Sequence, residues 1–344
     1  MRIKLAYGKQ GMWIDLPDAW DVTVVEPKYV PGLPDPAGAL AEGLRSPIGG
    51  QRPVSEVAGP DDRVGIVFSD ITRATPHRRI IPAILAELPH VPQEKLTLYC
   101  ATGTHRPNTD AELRGMLGDE LVDRYRIVQN ASQDEESLVC LGRTRRGLEI
   151  WLNRDFIECD VKILTGFIEP HLFAGFSGGG KAIMPGMAGM STVLGNHGAE
   201  MVADPRATWG ITHGNPLWEE VMEVAHRAGP DDKTFLVNVA LNKKQEITGV
   251  FAGDLDAAHA AGCVFVKETA MVAVPRPFDI VITSNSGYPL DLNLYQSIKG
   301  ASAAAQIVRE GGAIIIAAEC WDGIPEHGLY GRLLREASSA QHLL

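Results

Sequence analysis

Short aliphatic runs along this chain alternate with stretches in which apolar positions recur every three or four residues. Arg63–Phe68 (RVGIVF), Lys95–Cys100 (KLTLYC) and Val161–Thr165 (VKILT) are continuous runs, the pattern of strands buried on both faces. Arg78–Leu88 and Asp110–Leu117 have helical spacing. The first two runs are each followed by a polar loop and then one of these helices, which implies a parallel sheet. Ligands of such sheets sit beyond the carboxyl ends of the strands. The loops SDITR, after Phe68, and ATGTHR, after Cys100, are therefore expected to share one crevice.

Residues 1–30 alternate like strands in IKLAYG and WDVTVVEP, and a Pro/Gly-rich connector with a helical piece near Ala37–Arg45 follows. Leu138–Leu141 and Leu148–Leu152 flank GRTRRG as a hairpin. Met190–Val202, Pro216–Arg227 and Leu255–Thr269 predict helices, and Phe235–Ala240 and Glu246–Phe251 predict strands. Near Pro275–Pro277 a boundary is expected. Beyond it Phe278–Thr283, a helix over Leu294–Arg309 and Ala313–Ala318 form a strand, helix, strand unit. The expected architecture is two α/β domains with largely parallel sheets, residues 1–274 and 275–344. The active-site cleft would lie between them, and the second domain is short or cut off.

Composition narrows the partners. A net charge of −11 argues against a broad nucleic-acid surface, which needs clustered Lys and Arg. A small anion held by local donors remains compatible. Cys100, Cys140, Cys159, Cys263 and Cys320 form no CxxC pair, so neither a disulfide framework nor a sulfur metal cage is expected; buried thiols in a reducing cytoplasm are. No signal peptide is evident, and the aliphatic run Ala313–Ala318 is far too short to cross a bilayer. Oligomeric state is not readable.

The candidate chemistry gathers in Ile168–Gly198, above all in GFSGGGK. Three successive glycines suit a backbone that turns N–H groups onto a phosphate. The run fails the nucleoside-triphosphate pattern at its last position, where Ala182 replaces the hydroxyl that would hold Mg²⁺. A phosphotransferase or nucleotide hydrolase is thereby the second reading, and a non-catalytic cofactor carrier the third. Lys181 at a helix start is expected to have a lowered pKa and to act as a nucleophilic amine, or else to pair with a bound phosphate. His105 and His171, each at a strand end, suit a proton relay on each side of a substrate carbon, against the alternative of structural histidines. His197, in GNHG, is a plausible metal ligand standing alone, so a metal there needs a cofactor to complete it. Asp70 and Thr72 offer acceptors or a helix cap, and Arg73 a planar fork for a carboxylate. Gln296 and Lys299, three apart on one helix, would bind a substrate carboxylate beside a cleft, or simply face solvent.

Taken together, DITR, GTHRPNT, EPHLFAGFSGGGK with PG after it, GNHG and YQSIKG resemble the nickel-dependent lactate racemase family and its relatives that racemise or epimerise other 2-hydroxy acids. The resemblance implies a nickel pincer nucleotide. That cofactor is a pyridinium-3,5-bisthiocarboxylate-type mononucleotide gripping Ni²⁺ through two sulfurs and a ring carbon. It implies a covalent thioamide link at Lys181, His197 as the fourth nickel ligand, and His105 and His171 as the acid–base pair. It further implies that Arg73, Gln296 and Lys299 orient the substrate, and that Asp70, Ile71, Thr72, Arg73, Ser177, Gly178, Gly179, Gly180 and Pro185 touch the cofactor. The expected partners are a small 2-hydroxy acid and the enzymes that make the cofactor.

Overall fold

The computed structural model describes residues 1–325 and 329–343. By its internal contacts the chain forms two units, Glu26–Val272 and a second made of Met1–Val25 with Ala273–Leu344. The expected division near residue 274 assigned the first 25 residues to the larger unit. They belong instead with the chain's end: Gly8 N donates to buried Asp291 Oδ2 at 2.8 Å, and Arg276 pairs with Asp21 at 2.8 Å.

The larger unit is built on six strands: β1 (Val64–Ser69), β2 (Leu96–Ala101), β3 (Arg126–Gln129), β4 (Val161–Phe167), β5 (Thr234–Leu241) and β6 (Ile247–Gly253). They lie in the order β6-β5-β4-β1-β2-β3, all parallel except the antiparallel pair β5 and β6. Successive residues feed opposite faces. Val64, Ile66, Phe68, Leu98 and Ile163 enter one core, and Val67, Tyr99, Leu164 and Leu236 the other. Pro36–Arg45 and α1 (His77–Ala86) cover the first face. The second is covered by α4 (Pro216–Arg227) together with Ile150, Leu152 and Phe156, which completes three layers. Burial on both sides is why these strands read as unbroken aliphatic runs. The remaining helices used below are α2 (Asp110–Leu117), α3 (Met190–Asn196) and α5 (Leu255–Ala270).

Four local expectations change. The edge strand β3, four residues with Arg126 exposed, carried too little apolar pattern to be seen. WDVTVVEP forms no strand, and Trp20, Val24 and Val25 are exposed. The helix expected over Met190–Val202 is two helices, α3 and Ala199–Ala203, because His197 (φ −91°, ψ 21°) and Gly198 (ψ 158°) leave helical geometry between two glycines of low helix propensity. In the smaller unit the helix ends at Ala305, short of Arg309, since Val308–Ala317 already pairs in parallel with Phe278–Ser284. Of the five free thiols Cys140 is exposed and Cys320 half-buried, against the expectation that all are buried. Among the described residues no helix is long and apolar enough to cross a membrane.

A surface knot joins α4 to α5. His226 Nδ1 meets Asp231 at 2.8 Å and Nε2 meets Asp256 at 3.0 Å. The hydrogen bond to Asp256 leads in raising the imidazole pKa to about 9, with Asp231 adding to it against partial burial. A raised folded-state pKa stabilises fully below the unfolded value near 6.5, and the gain fades as pH rises through about 9. His226→Gln is therefore expected to lower the thermal midpoint at about pH 6. That gap from the unaltered protein should close by about pH 10 in paired melting curves.

Candidate active site

Three loops leave the carboxyl ends of β1, β2 and β4. From β1 the chain proceeds outward to β2 and β3, and then returns to add β4 and β5 on the other side. The order reverses between β1 and β4, which is where open α/β sheets hold ligands. Asp70–Arg73 follows β1, Thr102–Asn108 follows β2, and the chain from Ile168 to Ala188 follows β4.

Asp70 is the buried anchor of the first loop. It accepts from Thr72 Oγ1 at 2.6 Å, Thr72 N at 3.2 Å and His105 Nδ1 at 2.7 Å. Burial alone would raise its pKa. The neighbouring His105, by charge and hydrogen bond, together with the Thr72 hydroxyl, outweighs that and holds it below the usual carboxylate range. Because Nδ1 of His105 faces Asp70, the neutral form of the ring would carry its lone pair on Nε2. The SDITR and ATGTHR loops thus meet as expected. Asn108, which sequence reasoning passed over, ties them again: its Oδ1 accepts from Ile71 N at 3.2 Å while Gln129 accepts from its backbone N–H at 2.7 Å.

Arg73 bends back so that Nη1 donates to Thr72 O at 3.1 Å and Oγ1 at 3.3 Å, and Nε lies 4.0 Å from Glu169. That contact joins the first loop to the third. Glu169 and Pro170 lead into a tight two-strand turn, Pro170–His171 against Gly175–Phe176. Within it buried His171 accepts at Nδ1 from Phe173 N (3.3 Å) and Ala174 N (3.2 Å), so the neutral ring carries its proton on Nε2. The two catalytic candidates therefore hold opposite tautomers.

The glycine run does less for a phosphate than its sequence suggests. Ser177 N donates to Glu169 O, Gly179 N to Asn238 Oδ1 at 2.8 Å and Lys181 N to Gly178 O, so these N–H groups serve the protein itself. The Ser177 hydroxyl likewise donates to Phe167 O at 2.9 Å. Gly179–Ala182 is one 3₁₀ turn, without the long helix that follows a triphosphate loop. Packing explains the glycines: a Cβ on Gly178 would sit 2.4 Å from Asn238, one on Gly179 2.7 Å from His259, and one on Gly180 2.8 Å from Met222. Gly178 and Gly179 also have φ of 78° and 55°, which disfavours a side chain at both. Beneath the turn His259 bonds Ser177 O at 2.9 Å and stacks on Trp218. The lone Asn in the otherwise apolar run FLVNVAL of β5 was the available signal for this floor.

On that floor stands Lys181, half-buried. Burial first, and the Arg73 charge second, push its pKa down to about 7. Both effects favour the free amine over the ammonium, relative to an ordinary lysine. Its charge reaches His197, whose pKa falls to about 4, chiefly through burial and then through Lys181. His197 Nδ1–H donates to Val193 O at 3.2 Å, which places the lone pair of the neutral ring on Nε2. Among the described residues no group of three or more His, Cys, Asp or Glu side chains is arranged to hold a metal. Pro185 and Ile71 are half-buried nearby in sequence to these groups. Gln296 (buried) and Lys299 (half-buried) lie in the smaller unit, on the helix Leu294–Ala305.

Residues 7–210 match the lactate racemase N-terminal domain and residues 274–344 the lactate racemase C-terminal domain. The chain belongs to the lactate racemase family. Lactate racemase of Thermoanaerobacterium thermosaccharolyticum is 36% identical over 346 residues, covering 99% of this chain and 80% of that protein. Lactate racemase of Lactiplantibacillus plantarum is 39% identical over 295 residues, covering 86% and 68%. The solved lactate racemase apoprotein of T. thermosaccharolyticum superposes with a TM-score of 0.89, covering 100% of this chain and 80% of that one. A Thermotoga maritima protein of 20% identity, TM-score 0.61, shares the fold over 74% of this chain and 64% of its own. In this member of the lactate racemase family, Asp70, Arg73, His105, His171, Lys181 and His197 all belong to the larger unit.

Proposed function

We propose that this protein interconverts the enantiomers of lactate, or of a close 2-hydroxy acid, with a nickel pincer nucleotide tethered to Lys181. One observation carries the reading: the chain matches the two lactate racemase domains over residues 7–210 and 274–344, and within the first of them lie the Lys181 amine and a His197 imidazole whose Nδ1 is engaged by Val193 O. The donor set fits such a group. A free amine would condense with a thioacid arm to a thioamide with loss of water, and a solitary imidazole would suffice where an organic cofactor supplies the other metal ligands. Asp70, Ile71, Thr72 and Arg73, with the Ser177–Gly180 turn and Pro185, are proposed as its remaining contacts. When bound, the group supplies a hydride acceptor and donor beside the substrate carbon.

The chain's own residues do the rest. Arg73 offers its planar fork to the substrate carboxylate, and the family resemblance adds Gln296 and Lys299 to that task. His105 takes the hydroxyl proton at Nε2, and Asp70 offsets the charge that the ring gains. Loss of that proton together with a hydride leaves a planar 2-keto acid, open to return of hydride on either face. His171, with its proton on Nε2, serves the substrate oxygen in the opposite orientation. The two histidines are not equivalent, because one leans on a carboxylate and the other on two backbone N–H groups.

The test is chiral analysis of pure L-lactate incubated with protein co-produced with the cofactor-making enzymes. The expected end point is equal amounts of both enantiomers. Unchanged optical purity, with adduct and nickel present, would overturn the assignment.

A further inference from the structure

We propose that Glu220 is a positioning residue that fixes the His197 imidazole relative to Lys181, acting through Asn196. This rests on His197 being the nickel ligand, as proposed above. Helix α3, which ends at Asn196 just before His197, is seven residues long and has no side-chain cap at its start. A helix that short has little stability of its own, so its rotation is set by what holds it.

Two polar anchors hold it, one turn apart on one face. Thr192 Oγ1 accepts from Trp151 N at 2.8 Å and donates to Glu149 O at 2.8 Å. Asn196, fully buried, donates from Nδ2 to Leu217 O at 3.2 Å and to Glu220 Oε2 at 3.1 Å. Glu220 is itself buried at 3% exposure, and its other oxygen accepts from Thr144 Oγ1 at 2.8 Å. Thr144 is in turn fixed by Leu148 N at 3.1 Å. Burying a carboxylate among neutral donors costs stability, and it commits both donors to one orientation. Asn196 must aim its amide nitrogen at Glu220, which leaves its Oδ1 without a partner among the described residues.

Glu220 sits on α4, and so do Val221, Met222 and Ala225, the side chains that meet the bare face of Gly180, one residue before Lys181. The tether and the metal ligand are therefore referenced to the same helix. Glu220 is the link on the ligand side.

The experiment uses the full chain co-produced with the cofactor-making enzymes, as unaltered protein, Glu220→Gln, Asn196→Leu and the double variant. Intact mass, thermal midpoint and the rate of nickel loss to EDTA are measured. The expected result is an undiminished mass adduct, folded protein, and nickel loss faster by roughly 10–100-fold in each single variant, the usual penalty for disturbing a ligand's support. The double variant should lose nickel no faster than the worse single one, because both break one link. Nickel loss at the unaltered rate in the folded single variants, or multiplying effects in the double, overturns the proposal. Should Glu220→Gln fail to fold, Thr144→Val removes only the far donor; a smaller acceleration is expected and none would overturn it. If the unaltered protein carries adduct but no nickel, the functional reading fails separately. Hydrogen exchange at the His197 amide, bonded to Val193 O at 2.9 Å, then decides the bracing in unloaded protein. Faster exchange in Glu220→Gln supports it and unchanged exchange overturns it.

Discussion

His105→Ala and His171→Ala are each expected to lower lactate inversion by about 10²–10⁴-fold, the range a positioned acid or base contributes, while the cofactor stays attached. Both effects follow from what each ring is bonded to. His105 is aimed by a carboxylate at 2.7 Å that is itself fixed by Thr72, so its Nε2 is held as a base whose protonated form has a counter-charge. For His171, two backbone N–H groups fix Nδ1 as acceptor and so place the proton of the neutral ring on Nε2. Neither ring is the amine proposed to carry the cofactor, so intact mass should show the same adduct as the unaltered protein. Full inversion activity in either single variant would contradict a relay with one group on each side of the reacting carbon. Loss of adduct in both would instead mean that these histidines support loading and not turnover.

The parallel sheet and the meeting of the first two loops were legible in the chain because strands buried on both faces leave unbroken aliphatic runs, as in RVGIVF and KLTLYC. The polar ends of those runs pointed to Asp70 and His105. What the pattern could not supply was long-range pairing. Nothing local says that Gly8 bonds Asp291, so the grouping of Met1–Val25 with Ala273–Leu344 by internal contacts could not be read from the sequence. The glycine run misled in an instructive way: its composition suits a phosphate cradle, yet Asn238, His259 and Met222 occupy the space where side chains would be. Helix spacing likewise ran through His197, whereas the helix ends at Asn196 and the chain leaves helical geometry at His197 and Gly198. Glu220 was invisible for a related reason, since one acid in LWEEVMEV reads as a solvated face until its burial is known.

Lys181→Ala is expected to abolish covalent loading outright, and with it inversion of lactate. A depressed amine is required because an ammonium has no lone pair with which to attack a thioacid carbon. At this position burial and the charge of Arg73 favour the neutral form, bringing the pKa to about 7. Alanine is expected to leave the packed turn beneath it in place, because Gly178, Gly179 and Gly180 make those contacts. The deciding measurement is intact mass with nickel content on protein co-produced with the cofactor-making enzymes, unaltered and as Lys181→Ala. A mass adduct with bound nickel in the first and neither in the second is the predicted result. The same adduct in both would contradict the lysine tether on which the proposed chemistry stands.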